Sequence, residues 1–511
     1  MYLTQGLHRS LQQTPDTVMT IYGDRIRTFR QVADRVARFA GALKDLGVAS
    51  GDRVAILSNN SDNYAELLLA VPWADAVLNP VNTRWSVTEI GFSLRDCAST
   101  TLVVDDSFAP IVETLQAEYP ELRTVIFCGD GDTPDGMHDY ETLISQSEAI
   151  EDARRSGDAL AGLFYTGGTT GFPKGVMLSH ANIVTSALGA AASRSLFRSG
   201  GTYLHVAPMF HLADFTGGMI QTLVGGTQVM LPSFDAKAVM TTIERHSITG
   251  TTFVPAMIQA IVNHPDAGSH DLSSVENILY GASPISESLL TQALAAFAGA
   301  GFTQAYGMTE LAGLATLLVP EDHVAGRLRS AGRAIPHTEV RILGQDCAEA
   351  PRGDVGEIVV RGGHVMQGYW SRPVETADVL VDGWMHTGDL GYMDDSGYIF
   401  VVDRSKDMII TGGENVYSVE VENALGSHPG VLECAVIALP DERWGERIHA
   451  VVVQRPGYEV EESGLREHVK QQIAGYKAPQ SFEFVELLPR TTTGKILKRT
   501  LRDARAGHVS E

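Results

Sequence analysis

The twelve residues Tyr165-Thr-Gly-Gly-Thr-Thr-Gly-Phe-Pro-Lys-Gly-Val176 follow an apolar run, Leu160-Ala-Gly-Leu-Phe164, that reads as a buried strand. Gly167, Gly168, Gly171 and Gly175 permit turns that aim backbone N–H groups at an anion. Thr166, Thr169 and Thr170 add hydroxyl donors, and Lys174 adds a compact positive charge. A loop of that chemistry at the carboxyl end of a strand suits a polyphosphate in an open α/β sheet, and a nucleoside triphosphate is the expected ligand. A plain surface hairpin is the competing reading, because Gly and Thr are frequent in turns. The Walker A loop does not fit. It needs G-x-x-x-x-G-K-S/T with Lys directly after Gly, whereas Phe172 and Pro173 separate Gly171 from Lys174.

Outward from this loop, short apolar runs at residues 54–57, 101–104, 124–127, 228–231 and 277–279 alternate with helical stretches. Such alternation implies βαβ units and largely parallel sheet. Residues 28–46 carry apolar side chains at helical spacing and stop at Gly47, a suitable C-cap. From about Gly332 the texture changes to short strands near 339–342, 356–360 and 398–402, joined by Gly, Asp and Pro turns. Beyond the charged turn Asp403-Arg-Ser-Lys-Asp407 come a helix near 419–425, strands near 434–437 and 449–453, and a basic helix near 497–505. The expected fold is therefore α/β. A large N-terminal domain, 1–403, has mostly parallel sheets flanked by helices and a β-rich subdomain at about 332–403; a small mobile α+β C-terminal domain spans 404–511.

The 511 residues are 44% hydrophobic and 20% charged, as in a protein with ample core, and the net charge of −23 argues against nucleic acid as a partner. Cys97, Cys128, Cys347 and Cys434 are widely spaced and form no CxxC pair, so neither a disulfide framework nor a zinc site is expected, which fits a cytoplasmic protein. The start, Met1-Tyr-Leu-Thr-Gln-Gly6, does not read as a signal peptide, and integral membrane association is not expected.

Three more patches carry chemistry. Gln304-Ala-Tyr-Gly-Met-Thr-Glu310 offers a ring, a glycine turn, a hydroxyl and a carboxylate. Trp384-Met-His-Thr-Gly-Asp-Leu390 sets Asp389 after a glycine, suited to vicinal ribose hydroxyls, and Thr491-Thr-Thr-Gly-Lys-Ile-Leu-Lys498 presents Lys495 in a second Thr/Gly loop. In order and spacing these motifs resemble the acyl-adenylate-forming superfamily, and within it the acyl-CoA synthetases, over essentially the whole chain.

The resemblance implies an ATP site. Thr166 to Lys174 would bind phosphates; Gly281, Ala282, Ser283, Ala305 and Tyr306 would form the adenine pocket, with Tyr306 stacking on the base, and Gly307 would join the ATP site. Thr309 would touch the α-phosphate and Glu310 would help hold Mg²⁺. Asp389 and Arg404 would bind the ribose. It also implies the reaction of a carboxylic acid with ATP to an acyl-adenylate and pyrophosphate, followed by thioester formation on coenzyme A. Lys495 would stabilise the first transition state. The C-terminal domain would rotate about a hinge at Lys406 between the two steps. Gly412, Gly413 and Glu414 would then line the pantetheine tunnel, with Trp444, Arg84 and Tyr476 as further CoA contacts; for Trp444 a surface anchor between domains is an equal reading. His211 would border the acyl entrance or serve as a packed histidine, and Phe253, Gly281, Gln304, Gly307 and Ala312 would line the acyl site.

Two other functions are compatible with such a chain, a stand-alone adenylation enzyme that loads a carrier protein and a non-catalytic scaffold of the same fold. Amino-acid-activating relatives place an aspartate for the α-amine near this point, but in Phe210-His-Leu-Ala-Asp214 the aspartate comes three residues late. Lys174, Glu310, Asp389, Arg404 and Lys495 are all present, which speaks against a silent scaffold. The tail Gly507-His-Val-Ser-Glu511 is not the peroxisomal ending that luciferase-like oxygenases often carry. A homodimer is an expectation from similar enzymes.

Overall fold

Thr28 opens the helix Phe29–Asp45 with a reciprocal capping box: its hydroxyl accepts from Gln31 N–H while the Gln31 side chain accepts from Thr28 N–H. Such a cap stabilises a helix by about 1 kcal/mol. Gly47, just past the end, has φ 86°, the left-handed conformation expected of a stop. The computed structural model describes residues 1–166, 173–193, 196–283, 285–441, 443–490 and 496–506. Gly167, Gly168, Thr169, Thr170, Gly171 and Lys495 lie outside the described residues.

The apolar runs become strands Arg53–Leu57, Thr101–Val104, Thr124–Phe127, Thr227–Met230 and Asn277–Gly281, but they divide between two sheets. In the eight-stranded sheet, Leu160–Thr166, Val77–Pro80, Arg53–Leu57, Thr101–Val104, Thr124–Phe127 and His138–Asp139 run parallel in that spatial order. The nine-stranded sheet has a parallel centre, Gly301–Tyr306, Asn277–Gly281, Gly250–Phe253, Thr202–His205, Thr227–Met230 and Val18–Tyr22, with antiparallel strands at both edges. Helices such as Asp62–Trp73, in which every residue is buried, are packed into the core beside these sheets.

The β-rich segment is an antiparallel sheet of Thr338–Leu343, Gly356–Gly362, Trp384–Met393, Leu380–Val381 and Ile399–Arg404. A further sheet built from Ile409–Thr411, Glu414–Val416, Val431–Asp441, Gly445–Gln454 and Ser481–Phe484 makes the smaller C-terminal domain. Its core, from Ile409 and Val416 through Val436 and Ile448 to Phe482, draws only on this last part of the chain. Among the described residues no helix is long and apolar enough to cross a membrane.

Candidate active site

The Gly/Thr loop does not lead into a helix. It joins two antiparallel strands, Leu160–Thr166 and Lys174–Ser179, and Lys174 is the first residue of the return strand, directly across from Thr166. Asp96 anchors the loop end of this hairpin: its carboxylate accepts from Tyr165 Oη at 2.7 Å and from Arg372 Nη2 at 2.7 Å, and its carbonyl accepts from Trp370 Nε1 at 3.0 Å. A Cβ at Gly175 would stand 2.9 Å from the Tyr165 ring, so a larger residue there would push on the ring that Asp96 holds. The short strand Gly368–Tyr369 adds to the hairpin's outer edge, opposite Val176 and Met177. Tyr369 then links two expected site residues. The Lys174 ammonium lies 5.1 Å from its ring centre, within cation–π range, and its hydroxyl donates to Glu310 Oε1 at 2.9 Å. Burial pushes the Glu310 carboxyl above its ordinary value, opposed by the Tyr369 hydrogen bond and the Arg404 charge. Burial and the neighbouring Glu310 likewise raise the Tyr369 phenol.

A second group assembles where the nine-stranded sheet meets the β-rich sheet. Gly281 pairs with Ala305 on the neighbouring parallel strand, and a Cβ at Gly281 would stand 2.2 Å from the Ala305 carbonyl oxygen. Ala282 turns away at φ 65°, and Ser283 follows. Tyr306, at the end of its strand, donates its phenol proton to Asp389 Oδ2 at 2.8 Å. Arg404 Nε lies 3.0 Å from the other carboxylate oxygen, and Asp389 and Arg404 are direct cross-strand partners. Thr309 opens a short 3₁₀ turn with Glu310, closed by Ala312 in the left-handed region. Gly307 is pressed against this turn, since a Cβ on it would come within 2.3 Å of the Gly313 carbonyl oxygen.

His211 caps the helix Leu212–Val224 by position, without a side-chain cap. Burial, with a smaller contribution from the Arg84 charge, lowers its imidazole to about 4, so it is neutral at pH 7. Asp214, one turn on, is buried and engaged: its carboxylate lies 2.5 Å from His205 Nδ1 and accepts from Tyr203 Oη at 3.3 Å. Gln304 keeps a buried Oε1 without a hydrogen-bond partner among the described residues. Phe253 is fully buried, its ring centre 6.2 Å from that of Phe297.

Residues 7–370 match the AMP-binding enzyme family and residues 420–495 match the AMP-binding enzyme C-terminal domain. The chain belongs to the AMP-binding enzymes, in the acyl-adenylate-forming superfamily. A feruloyl-CoA synthase from Amycolatopsis sp is 40% identical, covering 97% of this chain and 97% of its own. A fatty acid–[acyl-carrier-protein] ligase from Streptomyces coeruleorubidus is 37% identical, over 98% of this chain and 96% of its own. Among solved structures, an anthranilate CoA ligase in complex with anthranoyl-AMP superposes with a TM-score of 0.93 at 28% identity, covering 100% of this chain and 98% of that one. These relationships make this AMP-binding enzyme an acid–thiol ligase.

In this AMP-binding enzyme the C-terminal domain gathers other expected residues. Gly412 and Gly413 form a tight turn at φ 61° and 84° between two short strands, and Glu414 follows, exposed. Trp444 lies against that turn: its carbonyl accepts from Gly412 N–H at 2.9 Å, and a Cβ on Gly412 would stand 2.9 Å from its ring. The Trp444 indole is 45% exposed with the Arg443 guanidinium 4.6 Å from its ring centre, and Tyr476 is 49% exposed. Burial and the charges of Arg404 and Lys174 lower the Lys406 ammonium from its ordinary value. Four contributors escaped sequence reasoning: Asp96, Tyr369, Trp370 and Arg372. The signal that could have exposed three of them is the compact Gly368-Tyr-Trp-Ser-Arg372 run, whose aromatic pair sits oddly at the start of a polar turn.

Proposed function

We propose that the chain is an AMP-forming acid:CoA ligase, converting a carboxylic acid, ATP and CoA to acyl-CoA, AMP and pyrophosphate through an acyl-adenylate. The observation that carries this reading is a pair of groups, Lys174, Tyr369 and Glu310 by the hairpin and Tyr306, Asp389 and Arg404 at the sheet junction, near enough for the Arg404 and Asp389 charges to act on Glu310. In this reading Lys174 and the loop before it hold the β- and γ-phosphates. Asp389 and Arg404 hold the ribose, Tyr306 offers its ring to the base, and Thr309 touches the α-phosphate. Glu310 fits a divalent cation, because it is a buried carboxylate with one oxygen bonded to Tyr369 and a charge that burial disfavours. Mg²⁺ bound there would neutralise phosphate charge.

The acid's carboxylate attacks the α-phosphorus and pyrophosphate leaves, with Lys495 supplying positive charge as it does. The C-terminal domain then turns about Lys406, bringing the Gly412–Gly413 turn and Trp444 to receive the pantetheine arm and nucleotide of CoA. A neutral His211 at the acyl entrance would not trap the carboxylate as an ion pair.

Loading of a carrier protein is the second reading, favoured by the 37% identity to a fatty acid–[acyl-carrier-protein] ligase. An amino acid substrate is disfavoured, because Asp214 is already committed to His205. The test is release of AMP and pyrophosphate over a panel of fatty, branched and aryl acids, with and without CoA. Thioester formed with free CoA supports the ligase. Acid-dependent pyrophosphate without any CoA product points to the carrier protein, and silence on every acid removes both readings.

A further inference from the structure

Strand Ile399–Arg404 is the last strand of the β-rich sheet and is paired with Trp384–Met393 to its end, Asp389 against Arg404 and Leu390 against Asp403. Successive side chains of a strand point to opposite faces. Arg404 accordingly meets Asp389 at the nucleotide side, and Asp403 faces the C-terminal domain. There its buried carboxylate, 3% exposed, accepts a hydrogen bond from the backbone N–H of Ser418.

Ser418 is the first residue of the helix Ser418–Gly426, whose own N-cap residue, Tyr417, supplies no side-chain cap. A helix start leaves its first N–H groups without partners and favours a negative charge. Asp403 provides both acceptor and charge, from the opposite side of the connection at residues 405–408. The contact continues inward. Lys498 Nζ donates to Ser418 Oγ at 2.6 Å and lies 2.7 Å from Glu422 Oε1, which accepts from Val436 N–H at 2.8 Å. The Asp403 carboxyl is raised by burial, opposed by the Lys498 charge.

We infer that Asp403 is a positioning residue for the two-step reaction: by capping Ser418–Gly426 across the hinge, it favours the C-terminal orientation seen here and sets the balance between the half-reactions. This rests on the ligase reading, in which the domain turns about Lys406. Rotation that separates Asp403 from Ser418 leaves a buried carboxylate and a helix N–H without each other, so the contact acts as a latch.

The test uses the full chain and an acid that the panel shows to be activated. Two rate constants are measured: pyrophosphate release in a single turnover, and thioester formation from preformed acyl-adenylate and CoA. Asp403→Ala is expected to change their ratio by about tenfold. Asp403→Asn, which keeps an acceptor oxygen, is expected to change it less. Ser418→Pro removes the donor from the other side; Pro is accepted at a first helical position, and Tyr417 already has the extended backbone that precedes Pro, φ −83° and ψ 120°. It should move the ratio in the same direction. Asp403 Oδ1 also accepts from the Arg404 backbone N–H at 2.7 Å, but the Arg404 side chain lies on the other face, so KM for ATP should stay within about threefold in Asp403→Ala. A parallel fall of both rates with an unchanged ratio, or opposite shifts from the two ends of the contact, overturns the proposal. A wild-type chain that releases no acid-dependent pyrophosphate would overturn the ligase reading instead.

Discussion

Tyr306 and Asp389, 83 residues apart in the chain, are joined by a single hydrogen bond of 2.8 Å from phenol to carboxylate. The bond ties the end of a parallel strand in one sheet to an antiparallel strand in another, and so couples the expected base and ribose contacts. Hydrogen bonds to a charged group contribute about 1.5–3 kcal/mol. Tyr306→Phe keeps the ring and loses the bond. Its expected result is a KM for ATP raised by about tenfold or more, with kcat changed less, in steady-state pyrophosphate release. An unchanged KM would mean that Asp389 is held well enough by Arg404 alone.

Individual candidate residues were legible because local chemistry is written locally. Apolar spacing and Gly47 mark one helix and its end, and Asp389 stands out beside its glycine. What was not legible depends on contacts across great sequence separation. The apolar strands carry the same hydrophobic signal whichever sheet they join, so their division between two sheets is decided by side-chain packing. Tyr369 reaches Glu310 only because Gly368–Tyr369 pairs with Val176 and Met177, nearly two hundred residues earlier. Asp403 looked like one charge among several in a polar turn, and only strand alternation gives it a different face from Arg404.

His337 and His364 face each other with ring centres 4.3 Å apart, and their ring nitrogens have no hydrogen-bond partners among the described residues. Burial lowers His337 to about 4, and burial followed by the His337 charge lowers His364 to about 3. Both folded values lie below the ordinary histidine value of about 6.5. The unfolded chain therefore binds more protons below about pH 6.5, and stability, full above that point, is lost as pH falls towards 4. The expected slope is about 1 kcal/mol per pH unit for each group. Melting temperatures from pH 7 to 4.5 should fall less steeply in His364→Leu than in the wild type; parallel curves would refute the assignment.

Gly189 lies in the helix His180–Ala192 against this pair, and a Cβ there would stand 1.7 Å from His337 Nδ1. Alanine normally favours a helix over glycine by about 1 kcal/mol. Here the clash opposes that gain, and overpacking costs about 1–3 kcal/mol. Gly189→Ala should therefore lower stability in denaturant unfolding. A stabilised variant would show that His337 moves aside freely.

Trp444 exposes its indole beside the Gly412 turn and under Arg443, which suits a stacking surface for a nucleotide base. Aromatic stacking on a base contributes about 1–3 kcal/mol. Trp444→Ala should raise KM for CoA by about tenfold while leaving single-turnover pyrophosphate release unchanged. Loss of the first step instead would assign Trp444 to the contact between the domains.

In the proposed function Lys495 and Lys406 serve different half-reactions. In the proposed mechanism Lys495 supplies charge only while the α-phosphorus is attacked, so Lys495→Ala should slow adenylate formation by about two to three orders of magnitude, the size typical of losing one stabilising donor. The same variant should still convert a synthetic acyl-adenylate to thioester with CoA. Lys406→Pro should do the reverse, because a fixed φ restricts the hinge without touching the substrate. Each variant is the control for the other: a protein damaged in folding loses both steps, whereas a rotating one loses them one at a time. Equal loss of both steps in a Lys495→Ala chain that keeps the wild-type melting temperature would remove Lys495 from its step-specific role, and unchanged turnover in Lys406→Pro would move the hinge elsewhere.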